Sequence, residues 1–187
     1  MASTKSQRTP QREQDFLSRI FTLGDIDNES SCEIIGLINE VNKEDERIEP
    51  EKRKPIKLII NSPGGEVYSG IGVIDTIESS ITPIHTYVTG HAMSMAFAIA
   101  TAGHYRYASK RSTFMYHEIS WDVGYSKMRF HEQELIEGKR LWKIYDDVVV
   151  QNTKIPLKTL EAARKEQKDW YMSVEEALKW GVIDEII

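Results

Sequence analysis

The stretch IKLIINSPGGEVYSGIGVIDTIE, Ile56 to Glu78, decides the fold. Its first seven residues form a near-continuous apolar run, the pattern of a strand covered on both faces of a parallel sheet. Pro63, Gly64 and Gly65 then break the run. Proline fixes one φ and the two glycines free the next two, so the chain turns with no side chain in the way. The segment from Val67 onward reads as a helix. A strand, a glycine turn and a helix make the first part of a βαβ unit.

Outward from this stretch the same alternation recurs. RIFTLG, Arg19 to Gly24, reads as a strand, and a helix follows from about Ser30 to Asn42, where Ile34, Ile38 and Val41 share one face. On the other side IHTYVTG is a strand and SMAFAIATAG a helix closed by Gly103. YRYAS and TFMYHE are two further short strands. A long helix is predicted from Ser126 to Asn152, with Leu141, Ile144, Tyr145 and Val148 as its apolar stripe. PLKTLEAARKEQ forms another helix, and SVEEALKWG a third, opened by a capping box between Ser173 and Glu176. The expected class is α/β, with repeated βαβ units on a mostly parallel sheet. Residues 1–16 are expected to be a flexible tail and residues 17–187 one domain. NKEDERIEPEKRKP, Asn42 to Pro55, has ten charged residues in fourteen and is expected to be a solvated loop.

Composition narrows the function. The 187 residues are 40% hydrophobic and 28% charged, ordinary for a globular protein. A net charge of -5 and the lack of a basic stripe give no reason to expect nucleic acid. No apolar run reaches the roughly 18 residues of a membrane span. The polar start lacks the apolar centre of a secretory signal, so a cytoplasmic protein is expected. Cys32 is the one cysteine, which precludes an internal disulfide and a cysteine metal cluster; in its apolar helical segment it is expected to be buried.

Three places carry possible chemistry. The NSPGG turn can aim backbone N–H groups at an oxygen, although tight turns of this composition are commoner than anion sites. It is not a phosphate loop, because no Gly-Lys-Ser/Thr follows. Ser94, in GHAMSMAFA, sits where a strand enters a helix, a position that exposes a nucleophile and points the next N–H, that of Met95, at a developing oxyanion. Alone, packing of a small residue explains it as well. A serine needs a base, and His85, His91, His104, His117 and His131 are available; His117 stands at a strand end. Asp169, between a helix end and the pair Trp170–Tyr171, is one of 29 acidic residues that could orient an imidazole.

Together these pieces resemble the Clp protease proteolytic subunit family, the self-compartmentalising serine peptidases. INSPGG (Ile60 to Gly65) matches the family's YINSPGG, and GHAMSMAFAIATAG resembles its GQAASMGAFLLAAG. FMYHE resembles MIHQP, KDWYMSVEEALKWGVIDEI resembles ERDxFMSAEEAVEYGLID, and RIFTLGDID resembles RIIFLGGPID. The order Ser, His, Asp also differs from the α/β-hydrolase and chymotrypsin orders. The resemblance implies Ser94 as nucleophile, His117 as base, Asp169 as the acid that orients it, and the N–H groups of Gly65 and Met95 as the oxyanion hole. It implies a crotonase-like, Clp-protease-like fold with a long handle helix that pairs two heptameric rings, peptide substrates, and no cofactor in this chain. ATP would enter only through a partner unfoldase.

Departures from the pattern set further expectations. Met93 replaces a small residue before the nucleophile and is expected to narrow the groove. His91 replaces a glutamine, and EISWDVGYSKMRF replaces a glycine-rich stretch. QRTPQREQDFLS is too short for both an axial loop and an amphipathic first helix, which argues against standard docking of an unfoldase while ring assembly stays expected. Two other readings fit some features: a catalytically weak or silent subunit co-assembling with an active relative, and a crotonase-type acyl-CoA enzyme.

Overall fold

The computed structural model describes residues 9–119, 128–166 and 168–187. Its strands are β1 (Ile20–Leu23), β2 (Ile56–Ser62), β3 (Ile84–Met93), β4 (Tyr105–Ala108), β5 (Thr113–Tyr116), β6 (Trp170–Met172) and β7 (Glu185–Ile186). Its helices are α1 (Pro10–Ser18), α2 (Asn28–Asp45), α3 (Val67–Glu78), α4 (Met95–Thr101), α5 (Met128–Asn152), α6 (Leu157–Lys165) and α7 (Val174–Lys179). The strands form one sheet, ordered β1-β2-β3-β4-β7, every neighbouring pair along this path being parallel. The expected α/β class with a mostly parallel sheet is therefore what the chain adopts.

The ten-residue β3 organises the rest. Its first half pairs with β4, from His85 opposite Tyr105 to Val88 opposite Ala108. Its last residues, His91 to Met93, pair instead with β5. β5 then takes β6 as an antiparallel neighbour. One strand thus carries two branches of the same sheet, β4 and β7 from its first half and β5 and β6 from its end. Behind it, α4 is buried at all seven positions, as an apolar, alanine-rich helix must be. Met95 of α4 packs against α3 at Gly70, where a Cβ would lie 2.3 Å from Met95 Cγ.

Several local expectations change. β2 buries Ile56, Leu58, Ile60 and Ser62 completely, but Lys57 and Ile59 only in part, so one face is covered and the other is half-covered. On that second face Lys57 lies over the Tyr87 ring at 4.2 Å, and Tyr87 stacks on Tyr107 at 4.4 Å. Pro10–Ser18, mostly within the expected tail, is helical and is anchored by buried Phe16. Cys32 is exposed, not buried. The inward stripe of α2 runs Ser31, Ile34, Ile38, Val41, and Cys32 sits one residue, about 100°, off it. Helix α4 ends at Ala102 in right-handed geometry, so Gly103 does not close it by a left-handed turn. Gly103 is needed for space instead, since a Cβ there would lie 2.5 Å from Thr86 Oγ1. The start of the long helix at Ser126 and the segment 120–127 of EISWDVGYSKMRF lie outside the described residues.

The charged stretch after Asn42 is not all loop. α2 continues to Asp45, whose carboxylate is fully buried and accepts from Arg19 through both oxygens at 2.7 Å and from Thr82 Oγ at 2.8 Å. Arg19 holds the Asp45 carboxyl below the usual range, against the opposing effect of burial. Removing one partner of such a pair leaves an uncompensated buried charge. Arg19→Met is expected to lower stability by about 3 kcal/mol at pH 7 in urea unfolding. A lowered folded pKa contributes its full stability above the unfolded value near 4, and that stability is lost as pH falls through the folded one. The difference between the two proteins should therefore shrink on acidification below about pH 4.

Candidate active site

Ser94 occupies the junction between β3 and α4 with φ 53° and ψ -127°. This is left-handed backbone that costs of order 1–3 kcal/mol and persists only where neighbours hold it. Three hydrogen bonds do so. The Ser94 N–H donates to the Met115 carbonyl at 2.9 Å, and the Ser94 carbonyl accepts from the Phe97 N–H and the Tyr145 hydroxyl, each at 2.9 Å. The side chain makes no cap bond to the helix it precedes. Its Oγ lies 2.7 Å from His117 Nε2 instead.

Strand register explains why these groups meet. Met93 of β3 stands opposite Met115 of β5, and the bond from Ser94 N–H to Met115 extends that pairing. His117, two residues beyond Met115, is thereby brought to Ser94. On its other side β5 runs antiparallel to β6, with Phe114 opposite Met172, Met115 opposite Tyr171 and Tyr116 opposite Trp170. One step further, this register sets His117 opposite Asp169. Asp169 Oδ1 lies 3.9 Å from His117 Nδ1, and the carboxylate is 56% exposed. Ser94 and His117 are in hydrogen-bond contact; Asp169 is adjacent but beyond hydrogen-bond distance.

The glycine turn lies on the opposite side of Ser94. Gly64 has φ +107° and Gly65 φ +148°. A Cβ at Gly64 would come within 2.7 Å of Ser94 Cβ and 3.2 Å of the Met95 nitrogen, so the turn touches the serine's own loop. Gly64 and Glu66 bracket Ile26: Ile26 N–H donates to the Gly64 carbonyl at 3.0 Å, and Glu66 N–H to the Ile26 carbonyl at 2.7 Å. The Gly65 N–H faces away from that bridge, and Met95, first residue of α4, has no acceptor within its own helix.

A family model for Clp protease matches residues 12–187, a span that begins inside α1 and takes in the rest of the fold. The chain belongs to the Clp protease family. It is also 36% identical over 138 residues to an ATP-dependent Clp protease proteolytic subunit of Deinococcus radiodurans, covering 71% of this chain. The chain spans 64% of that relative's length.

Within this Clp protease fold a cleft of about 280 Å³ opens beside Ser94, lined by Gly65, Val67, Met95, His117, Ile119 and Tyr145 among others. Met93, expected to narrow the groove, is not part of the lining; it is half-buried, with its carbonyl facing Gly64. His91, on β3 opposite Thr113, is half-buried and is not among the residues lining the cleft. His85 packs against Tyr105 and Tyr107, and His104 Nδ1 accepts from the Ile84 N–H at 3.1 Å. Nothing local in the sequence marks Tyr145 or Met115 as a site residue. Tyr145 is one of several apolar-stripe residues on α5, and Met115 contributes a carbonyl, which any residue has.

Proposed function

We propose that this Clp protease family member is a serine endopeptidase working by acyl-enzyme chemistry. The observation that carries the reading is the 2.7 Å contact between Ser94 Oγ and His117 Nε2, made at a backbone held in a strained conformation. In this reading His117 takes the Ser94 proton as Oγ attacks the scissile carbonyl. The N–H groups of Gly65 and Met95 stabilise the tetrahedral oxyanion. Collapse releases the amine, protonated by His117, and leaves an ester on Ser94. Water, deprotonated by His117, then hydrolyses the ester and restores the serine. The apolar wall of Val67, Met95 and Ile119 suits an apolar substrate side chain beside the cut. The steps use side chains, backbone N–H groups and water, and ATP would act on them only through a separate unfoldase.

Assembly belongs to the same proposal. Exposed Leu135 and Ile136 on α5 suit a handle that pairs rings of identical subunits around a peptide-degrading chamber. Among the described residues no helix is long and apolar enough to cross a membrane, and a cytoplasmic setting is proposed. The test of the chemistry is covalent labelling. A fluorophosphonate should modify the protein at Ser94, located by peptide mass mapping, and a label on any other residue would overturn the assignment.

One observation favours a weaker subunit, the 3.9 Å gap between His117 and the exposed Asp169. A triad carboxylate in full contact is worth about 10⁴-fold. Across this gap Asp169→Asn is expected to lower kcat by about 10- to 100-fold, less than the loss of either partner. An unchanged kcat would put Asp169 outside the machinery and support the weak-subunit reading.

A further inference from the structure

Behind Ser94 lies a buried polar assembly that the proposed chemistry leaves without a task. Tyr145, on α5, is buried and donates its hydroxyl to the Ser94 carbonyl at 2.9 Å. Its ring stacks on Tyr116, with centroids 5.4 Å apart and planes 21° apart. The Tyr116 hydroxyl donates to Asp146 Oδ1 at 2.7 Å, and Arg164 of α6 donates to both Asp146 Oδ2 and the Tyr116 oxygen. Asp146 is buried, so the guanidinium is its compensating charge. Tyr116 stands where the family motif quoted above has isoleucine, and it adjoins His117.

We propose that Tyr145 is a positioning residue for the oxyanion hole, its hydroxyl fixing the plane of the Ser94–Met95 peptide. This rests on the reading of Ser94 as nucleophile. A peptide is planar and trans, so its C=O and N–H point in opposite directions. Holding the Ser94 oxygen against Tyr145 turns the Met95 N–H the opposite way, to the side of the glycine turn, where a Cβ at Gly64 would lie 3.2 Å from the Met95 nitrogen. The Phe97 N–H reaches the same oxygen, but it belongs to α4 and moves with it, whereas Tyr145 ties the peptide to a different helix. The stack on Tyr116 and the Asp146–Arg164 pair brace the ring. Burial raises both phenols' pKa values, assisted at Tyr116 by its bond to Asp146, so both remain hydrogen-bond donors at any working pH.

Tyr145→Phe removes one oxygen and keeps the ring, its stack and its packing. The test compares four readings at a temperature where both proteins are folded: kcat, KM, affinity for a peptide boronate, and affinity for a non-cleavable peptide. A boronate bonded to the serine places a tetrahedral oxygen in the oxyanion hole, while the uncut peptide does not. Removing an oxyanion donor outright costs about 10²–10³ in rate, so loosening one is expected to lower kcat about tenfold. Boronate affinity should fall by a similar factor, with KM and peptide affinity unchanged. A purely structural hydroxyl would lower the melting temperature alone. Values of kcat and boronate affinity within twofold of the parent overturn the proposal. Ser94→Ala run alongside separates the two failures. A boronate that binds Ser94→Ala as tightly as the parent refutes the nucleophile itself; dependence on Ser94 without dependence on the Tyr145 hydroxyl refutes only the positioning role.

Discussion

The Ser94→Ala protein is expected to hydrolyse a short peptide at least about 10⁴-fold more slowly than the parent. The argument is geometric. The hydroxyl is within 2.7 Å of His117 Nε2, and its removal leaves His117 with nothing to activate but water. Adding His117→Ala should then change little, because a nucleophile and its base act as one unit and their losses do not multiply. Stability should hardly move, since alanine at this φ is no more strained than serine and the three backbone bonds that hold the residue remain. A melting curve and a rate measured on the same preparation check both halves. A residual rate within tenfold of the parent, or a double variant a thousandfold slower than either single one, would remove the Ser–His pair from the mechanism.

The second large effect is expected at Gly65. A Cβ there would sit 2.0 Å from the Ile26 carbonyl oxygen and 2.8 Å from its carbon. These are backbone atoms of a bridged segment and cannot swing aside as a side-chain tip could. The φ of +148° adds strain of order 1–3 kcal/mol for any residue with a Cβ. Gly65→Ala must therefore push the turn off Ile26, and the Gly65 N–H moves with it. We expect a loss of about 10²–10³ in kcat, the usual result of losing one oxyanion donor. The control is Gly24→Ala, where no atom lies within 4 Å of the added Cβ and no effect is expected. Gly65→Ala with the parent's kcat would show that this N–H does not face the reaction.

Much of this fold can be read directly from the sequence, because its signals are local. The apolar run of β2, the glycine turn, the alanine-rich α4 and the Ser173–Glu176 capping box each depend on residues a few positions apart. What escapes is what depends on partners distant in the chain. Asp45 looks like one charge among ten until Arg19 and Thr82 close on it. Cys32 looks buried until Ser31 takes the inward position. The approach of His117 and Asp169 rests on the antiparallel pairing of β5 with the three-residue β6, which is too short to show a pattern. The motif resemblance supplied those residues; the strand pairing supplies the reason they stand together, and also the 3.9 Å that separates them.

That pairing also makes the site a matter of parity. Side chains alternate across a strand, so a slip of one residue turns every group on it to the opposite face. If β5 lost or gained a residue between Met115 and His117, the imidazole would trade places with a neighbour and face the wrong side of the sheet. Length changes there would not weaken the site by degrees; they would delete it. Between Lys110 and Arg111, by contrast, the chain turns in the open, ahead of the paired residues, and an added residue could loop out without shifting the register. Related chains that keep the contact between the serine and the histidine are thus expected to vary in length at that turn and to hold a fixed count across the few residues that follow it.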